Sequence, residues 1–253
     1  MRPTVMLLLA LAAGTAGIEI QTPATPKPPK GFTALFNGKD LSGWRGRQQD
    51  YSPYAEAKLS REELAAKQAE WNTDRDAHWS VDAAKGEIVS DGKGVFLATG
   101  KDYGDFEIYV DWLMVNHNGD SGVYLRGYPQ VQVWDPENPR EERNGAAKGS
   151  GALWNDNPDN PGKWPLVKAD NPVGQWNTFK IKMIGSRVWV SLNEKVTVDG
   201  QVLDNFFERT QPVVARGPIE LQTHGSEIRF RNIFIREIPE AEAKKTLAQF
   251  PAK

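Results

Sequence analysis

The chain has 253 residues and no cysteine, its formal net charge is −2, and hydrophobic residues make up 39% of it. This composition is typical of a globular protein, and the length suits a single all-β domain. The small net charge provides no basic surface, so no nucleic-acid partner is expected. Without cysteine, neither a disulfide framework nor an acylated cysteine anchor can form.

Residues 1–17 are predicted to be a secretory signal peptide. Arg2 precedes an apolar run at residues 5–13, and small residues follow. The run is too short to cross a membrane, which needs about 20 residues. We therefore expect export to the periplasm or the extracellular space, with no membrane contact after cleavage; the alternative is a buried N-terminal helix. Residues 18–30 are predicted to be a Pro-rich spacer.

A short helical insertion is predicted near residues 60–72, with the helix at about 61–72, inside otherwise strand-like sequence. Ser60 and Glu63 have the spacing of a capping box, and Leu59 and Leu64 have that of a hydrophobic staple. Because strand-like segments flank this helix, we interpret it as an insertion that covers the edge of a sheet. The alternative is a lid over a binding site.

From Trp79 to residue 238 the sequence consists of short strand-like runs that alternate apolar with polar residues, separated by turns. No helices lie between these runs, which excludes an α/β fold. The pattern predicts one all-β domain over residues 31–238, a sandwich of two antiparallel sheets. The tail at residues 239–253 is predicted to be helical in part.

Alternation within the strands collects polar and aromatic side chains on the faces that point away from the core. If the strands are neighbours, these side chains line one concave face. Carboxylates, amides and arginine bind hydroxyl groups, while tryptophan and tyrosine stack on the C–H faces of a pyranose ring. The set therefore predicts a carbohydrate site, although many water-facing strand residues are polar in any sandwich. Its members are Asp111, Tyr124, Arg126, Gln132, Trp134, Glu220, Gln222 and His224.

Other catalytic signals are weak. Asp111 and Glu220 are candidates for a glycosidase carboxylate pair, but the sequence gives no distance between them. The Asp/Asn-rich segment 154–162 lacks the ligand spacing of an EF-hand calcium loop and is interpreted as a solvated turn. Neither a G-x-S-x-G nor an H-E-x-x-H motif is present.

Four segments, in the same order, resemble one bacterial family: GFTALFNGKDLSGW, then GDSGVYLRG with VQVWD, then GQWNTFKI, and finally IELQTHGSEIRFRNIFIRE. This is the 3-keto-disaccharide hydrolase family, formerly a domain of unknown function, and the resemblance spans about residues 31–238. It implies a concanavalin A-like jelly roll and the cleavage of glycosides whose sugar is oxidised to a ketone at C3. Members are typically exported by bacteria that degrade carbohydrates.

A ketone at C3 acidifies the hydrogen on C2, so a base can start an elimination that breaks the C1–O bond, and water then completes a net hydrolysis. Such a site needs a base, a group that stabilises the enolate oxygen, and an acid. A divalent cation is an alternative to the arginine. The hypothesis assigns His224 or Asp111 as base, Arg126 at the enolate oxygen, Glu220 as acid, Gln132 and Gln222 at hydroxyls, Tyr124 or Trp134 against the ring, and Asp120 and Asp135 as ligands of that cation.

Two alternatives to an enzyme remain open at this stage. Jelly rolls also serve as carbohydrate-binding modules, and an extracellular adhesion or scaffold domain is a third class. The sequence also departs twice from the family pattern. Asp120 stands where Asn is usual, which adds a negative charge. Glu194 stands where the Leu-Asn-Gly hairpin has Gly, which predicts a changed turn or a non-glycine residue with positive φ.

Overall fold

The computed structural model describes residues 27–250, so the predicted signal peptide and most of the spacer lie outside the described residues. In chain order the strands are β1 (Thr33–Ala34), β2 (Trp44–Arg47), β3 (Trp79–Asp82), β4 (Glu87–Ser90), β5 (Phe96–Thr99), β6 (Phe106–Met114), β7 (Asp120–Tyr124), β8 (Gln130–Trp134), β9 (Asn177–Ile184), β10 (Arg187–Leu192), β11 (Lys195–Val202), β12 (Glu220–Leu221) and β13 (Ile228–Glu237). The helices are α1 (Pro53–Glu56), α2 (Arg61–His78) and α3 (Glu240–Leu247), with 3-10 turns at Glu142–Asn144, Ala146–Lys148 and Pro161–Lys163.

The strands form two antiparallel sheets. The large sheet has the order β11-β10-β9-β6-β13-β4-β3, and β1 pairs with β13; the small sheet has the order β2-β5-β12-β7-β8. All strand pairs between neighbours are antiparallel. The predicted all-β jelly-roll sandwich is confirmed.

The core lies between the two sheets and follows from strand alternation. On β6, residues 106, 108, 110, 112 and 114 are buried while the residues between them are partly exposed. They belong to one apolar cluster with Val123, Val131 and Val133 of the small sheet. The opposite faces of both sheets are therefore the surfaces on which a functional site can form.

Helix α2 covers the edge of the small sheet, as the sequence predicts. Its capping box forms, because Ser60 accepts from the Glu63 backbone and Glu63 accepts from the Ser60 backbone. At edge strand β2, Gln68 Nε2 donates to the carbonyl of Gly46 (2.9 Å), and the N–H of Gly46 donates to Asn72 Oδ1 (2.9 Å). The helix continues past the predicted residue 72 to His78.

Helix α3 lies in the C-terminal tail. Within residues 27–250, no helix combines the length and apolar character needed to cross a membrane.

The β10–β11 hairpin shows how the chain accommodates the missing glycine. Its two loop residues, Asn193 and Glu194, have φ values of 48° and 69°. Positive φ at both central positions is the geometry of a type I′ turn, which favours glycine at the second position. The second of the two predicted outcomes, a non-glycine residue with positive φ, is therefore the one found.

Candidate functional site

The outer face of the small sheet carries rows of side chains that run across its strands. Register pairs Arg45 with Ala98, Ala98 with Glu220, and Glu220 with Tyr124 and then Gln130. The neighbouring rows lie about 7 Å away along the strands. They contain Arg47, Phe96, Gly122, Gln132 and Gln222, and then Asp120, Trp134 and His224.

His224 and Asp120 form a hydrogen-bonded pair at the open end of this face. His224 Nδ1 lies 3.0 Å from Asp120 Oδ2, and the His224 side chain is 54% exposed while that of Asp120 is 14% exposed. The hydrogen bond to Asp120 raises the pKa of His224. A carboxylate at Nδ1 fixes the tautomer, so Nε2 carries the free lone pair that a general base needs.

A chain of three glutamine amides extends from Asp120 across the floor. Gln132 Nε2 donates to Asp120 Oδ1 (2.6 Å), and Gln130 Nε2 donates to Gln132 Oε1 (2.7 Å) and to Gln222 Oε1 (2.6 Å). Because a carboxylate only accepts, Asp120 orients the first amide, and each amide orients the next. The NH₂ group of Gln222 makes no hydrogen bond to any described residue, so it is available to donate to a ligand.

Gly122 gives the amide chain its room. A Cβ atom at this position would lie 2.5 Å from Gln130 Nε2 and 2.7 Å from its Cγ. The Gln130 side chain therefore crosses β7 directly over Gly122. This close approach gives a physical reason for the glycine in the Asp-Ser-Gly segment.

A buried ion pair holds the other side of the floor. Arg47 Nη1 lies 2.7 Å from Glu220 Oε1, and both side chains are 1% exposed. Arg47 also donates to Glu56 of α1 (2.7 Å) and to the carbonyl of Tyr51 (2.7 Å). Burial raises the pKa of Glu220, while Arg47 opposes the shift. Glu220 thus lies within the floor beneath Arg47, not at the open end beside His224.

Two loops cover the closed end of the face. The Tyr124 hydroxyl donates to Asp50 Oδ1 (2.9 Å). Tyr54 contacts the opposite loop, because its hydroxyl donates to the carbonyl of Pro212 (3.2 Å) and accepts from Asn205. The segment 48–56, which precedes α2, therefore reaches over the sheet although α2 itself covers only an edge.

A cluster of aromatic side chains lies next to Tyr124 at the closed end of the face. The Tyr128 ring lies 6.2 Å from Tyr124 and stacks on Phe206 at 4.7 Å, while Phe207 contacts it at 4.8 Å. Phe206 is 45% exposed. At the other end of the sheet, Trp134 contacts the Trp154 ring edge-to-face at 5.4 Å. The face is therefore polar at its centre and aromatic at two sides.

The structure does not bring Asp111 or Arg126 to this face, which corrects the predicted grouping. Asp111 lies on β6 in the large sheet, where it accepts from Thr178 (2.7 Å) and Asn232 (2.7 Å). Arg126 follows the end of β7 with a φ of 56° and donates to the Gly104 carbonyl (2.9 Å) and to Asp105. Alternation predicts the face of a strand, but it does not predict which sheet contains the strand or where the strand ends.

The predicted metal ligands also do not converge. Asp120 contacts Gln132 and His224, whereas Asp135 accepts from the backbone N–H of Asn118 (2.7 Å) and from that of Glu137 (2.9 Å). Among residues 27–250 no group of three or more His, Cys, Asp or Glu side chains is placed to hold a metal ion. Asp120 and Asp135 therefore do not form a common metal site.

Of the predicted site residues, the structure brings together Asp120, Tyr124, Gln132, Trp134, Glu220, Gln222 and His224 on the small sheet. Sequence reasoning missed four others: Arg47, Asp50, Gln130, and Glu141, a loop residue whose negative charge acts on His224. Gln130 has the same alternation as Gln132 and Trp134, so the run QVQVW contained the signal that identifies it. The other three lie at a strand end or in loops, where no periodic pattern exists.

A family model for the 3-keto-alpha-glucoside-1,2-lyase-like domain matches residues 31–236. The chain belongs to this family. The match includes all thirteen strands of the described structure except the last residue of β13, and therefore every strand that forms the site.

This member of the lyase-like family is distant in sequence from three similar proteins. It is 22% identical to a 3-keto-disaccharide hydrolase of Bacteroides thetaiotaomicron, in an alignment that covers 86% of this chain and 82% of the relative. Two crystal structures of candidate glycosyl hydrolases from Parabacteroides distasonis are each 23% identical. One has a TM-score of 0.61 and covers 83% of this chain and 94% of that chain; the other has a TM-score of 0.55 and covers 90% and 100%. At this identity the structures show a shared fold.

Proposed function

We propose that this protein cleaves the glycosidic bond of 3-keto glycosides by removing the proton on C2, eliminating the C1 substituent and adding water. The observation that carries the proposal is the half-exposed His224 imidazole, whose Nδ1 is held by Asp120 beside a floor of oriented amides. The family match, and the relative named a 3-keto-disaccharide hydrolase, support the choice of substrate.

His224 is the general base in this scheme. Its Nε2 takes the proton from C2, and the electron pair of the C–H bond forms the enolate, with negative charge on the C3 oxygen. The resulting imidazolium is stabilised by Asp120 at 3.0 Å. Because the ketone makes C2 acidic, a base with an ordinary imidazole pKa is strong enough.

The NH₂ group of Gln222 is the donor placed to stabilise the enolate oxygen. Its orientation is fixed by Gln130, which donates to Gln222 Oε1 at 2.6 Å. A preorganised neutral donor stabilises charge that develops in the transition state without reorganising at that moment. Gln222 takes the role that the sequence assigned to Arg126, whose guanidinium is hydrogen-bonded elsewhere.

The remaining steps need no reactant other than water. The enolate re-forms the C3 ketone as a C1=C2 double bond forms and the C1–O bond breaks. The imidazolium returns its proton to the departing oxygen. Water then adds to C1, and a proton adds to C2, which gives the 3-keto sugar and the free alcohol. Glu220 is not needed as the acid, in accord with its burial beneath Arg47.

The same proposal includes export. The apolar run at residues 5–13 supports a signal peptide, and polysaccharide fragments outside the cell would supply glycosides to an exported enzyme.

Purified protein should release the alcohol from a 3-keto glucoside and leave the unoxidised parent glucoside intact. In D₂O, the product should carry deuterium at C2, because C2 loses its proton and regains one from solvent. Cleavage of both sugars without deuterium at C2 would contradict the elimination. Binding of the keto sugar without any cleavage would indicate a carbohydrate-binding protein instead.

The pH profile tests the base. His224 acts only when neutral, so kcat/KM should rise with pH through the pKa of His224. Asp120 raises that pKa above its ordinary value of about 6.5. The acidic limb should therefore lie above about pH 6.5 and should move to lower pH in Asp120→Asn, which lacks the carboxylate. A limb that does not move would rule out His224 as the titrating base.

A further inference from the structure

Asp50 is an exposed acid that the fold holds over the site. It belongs to the segment between β2 and α1, and its φ is 50°, a conformation that costs energy in a residue other than glycine. Its Oδ1 accepts the Tyr124 hydroxyl at 2.9 Å. No described residue donates to Oδ2, so one oxygen of this exposed carboxylate has its full hydrogen-bonding capacity left for a ligand.

Arg47 fixes the segment that carries Asp50. The guanidinium donates to the carbonyl of Tyr51 (2.7 Å), to Glu56 (2.7 Å) and to Glu220 on the floor (2.7 Å). The buried guanidinium of Arg47, which precedes Asp50, therefore connects Tyr51 and Glu56, which follow it, to Glu220 in the sheet. The position of Asp50 above Tyr124 is set by this anchor and is not a property of a free loop.

Asp50 lies above Tyr124, at the closed end of the face. It contacts Tyr124 directly, and its charge also acts on His224, together with the charges of Asp120 and Glu141. Tyr124 pairs with Glu220, which is two residues and about 7 Å from Gln222 on the same face. A sugar whose C3 oxygen lies at Gln222 therefore has other hydroxyl groups within reach of Asp50.

We propose that Asp50 is a specificity-determining residue that binds a hydroxyl of the sugar undergoing cleavage, with its carboxylate oriented by Tyr124. This inference rests on the proposed function and deepens it. A carboxylate oxygen accepts two hydrogen bonds, so Oδ2 has full capacity for a sugar hydroxyl. Burial raises the pKa of the Tyr124 hydroxyl far above its ordinary value, which keeps that group a donor to Asp50.

The positive φ of Asp50 allows a variant that separates binding from folding. Glycine adopts this conformation without strain. This relief of strain offsets the loss of the acceptor of the buried Tyr124 hydroxyl, so Asp50→Gly should fold with about the stability of the wild type, yet lack the carboxylate. The matched control is Glu194→Gly, which makes the same change at another acid of positive φ, on the hairpin of the large sheet.

The expected result for Asp50→Gly is a fall of about 10- to 100-fold in kcat/KM for the 3-keto glucoside, the range of a hydrogen bond to a charged group. The melting temperature should change little, because strain relief and the lost hydrogen bond to Tyr124 oppose each other, and Glu194→Gly should keep full activity. With 3-keto glucosides that each lack one of the remaining hydroxyl groups, the wild type should lose activity when the hydroxyl bound by Asp50 is missing, while Asp50→Gly loses little more. The hydroxyl whose removal lowers the activity of the wild type but not that of Asp50→Gly is the one that Asp50 binds.

A second variant tests whether the negative charge of Asp50 affects the titration of His224. Asp50→Asn retains an acceptor for Tyr124 but removes one negative charge near His224, so the acidic limb of kcat/KM should move to lower pH. Asp120 contacts His224 directly, and the negative charges of Glu141 and Asp50 also favour its protonated form. Asp199→Asn, on β11 of the large sheet, removes the same charge far from the site and should leave the limb in place.

Two failures are distinguishable. A wild type that does not turn over the keto glucoside contradicts the proposed function, and this inference fails with it. A wild type that turns it over, while Asp50→Gly matches the wild type in kcat/KM, overturns the inference alone and makes Asp50 a turn residue without a role in binding.

Discussion

The outer faces of the two sheets differ in how their polar groups are satisfied. On the large sheet, acids pair with arginines across neighbouring strands: Glu107 with Arg236 at 2.7 Å, Glu87 with Arg229 at 3.0 Å. On the small sheet, the amides form a directed chain that begins at Asp120 and ends at the NH₂ group of Gln222. One face is neutralised by its own residues, and the other keeps a base and a donor available for a ligand.

This difference shows what separates a functional face from a merely polar one. Both faces arise from the same alternation of apolar and polar residues, and both contain acids and aromatic rings. The small-sheet face combines two unused hydrogen-bonding groups, His224 Nε2 and the NH₂ group of Gln222, with a chain of oriented amides. Hydrogen-bonding groups without a protein partner, next to an oriented network, indicate a ligand site better than the number of polar residues does.

The largest expected effect is that of removing the base. His224→Ala should lower kcat on the 3-keto glucoside by about 100- to 10,000-fold, the usual contribution of a general base. Because the side chain is 54% exposed, the melting temperature should change little. The measurement is steady-state kinetics with a thermal melt on the same sample.

Asp111→Asn is the matched control on the large sheet. It changes an acid that the sequence grouped with His224 but the fold places on the other sheet. Wild-type kinetics are expected, and a large loss in this variant would remove the distinction between the two faces.

The next effect concerns stability. Arg47→Met leaves Glu220 buried without its partner and should cost about 3–5 kcal/mol of unfolding free energy. Arg236→Met breaks ion pairs to Glu107 and Glu242 at a more exposed site and should cost less than about 1 kcal/mol. Urea denaturation measures both, and equal losses would show that the two faces do not differ in this respect.

The smallest expected effect is the relief of backbone strain in the β10–β11 hairpin of the large sheet. Glu194→Gly should stabilise the protein by about 1 kcal/mol, because glycine adopts the φ of 69° found there. For a domain of this size that corresponds to a rise of about 2–4 °C in melting temperature. A fall in melting temperature would show that the Glu194 side chain makes a stabilising contact worth more than the strain.

Sequence alone predicted the sandwich, the capping box of α2 and the outward face of Gln132, Trp134 and Gln222, because each depends on local spacing. It grouped Asp111 with His224 since strand alternation gives the face of a residue and carries no information about sheet order. Arg126 was assigned to the face because the end of β7 after Tyr124 has no local signal.

The position of the segment that contains Arg47 and Asp50 could not be predicted from the sequence, for a different reason. The segment has no period, and its position depends on one guanidinium that bonds to Tyr51, Glu56 and Glu220, the last of them distant in sequence. Such tertiary anchors appear only when the chain is folded.

The contact between α2 and Gly46 has a consequence for the solution behaviour of the protein. A strand at a sheet edge exposes N–H and C=O groups that can pair with another chain and start aggregation. Here Gln68 and Asn72 satisfy both groups of Gly46, and the helix backbone lies so near that a Cβ at residue 46 would meet the Trp71 carbonyl oxygen at 2.1 Å. The absence of one methyl group therefore keeps the helix seated and this edge closed to strand exchange between molecules.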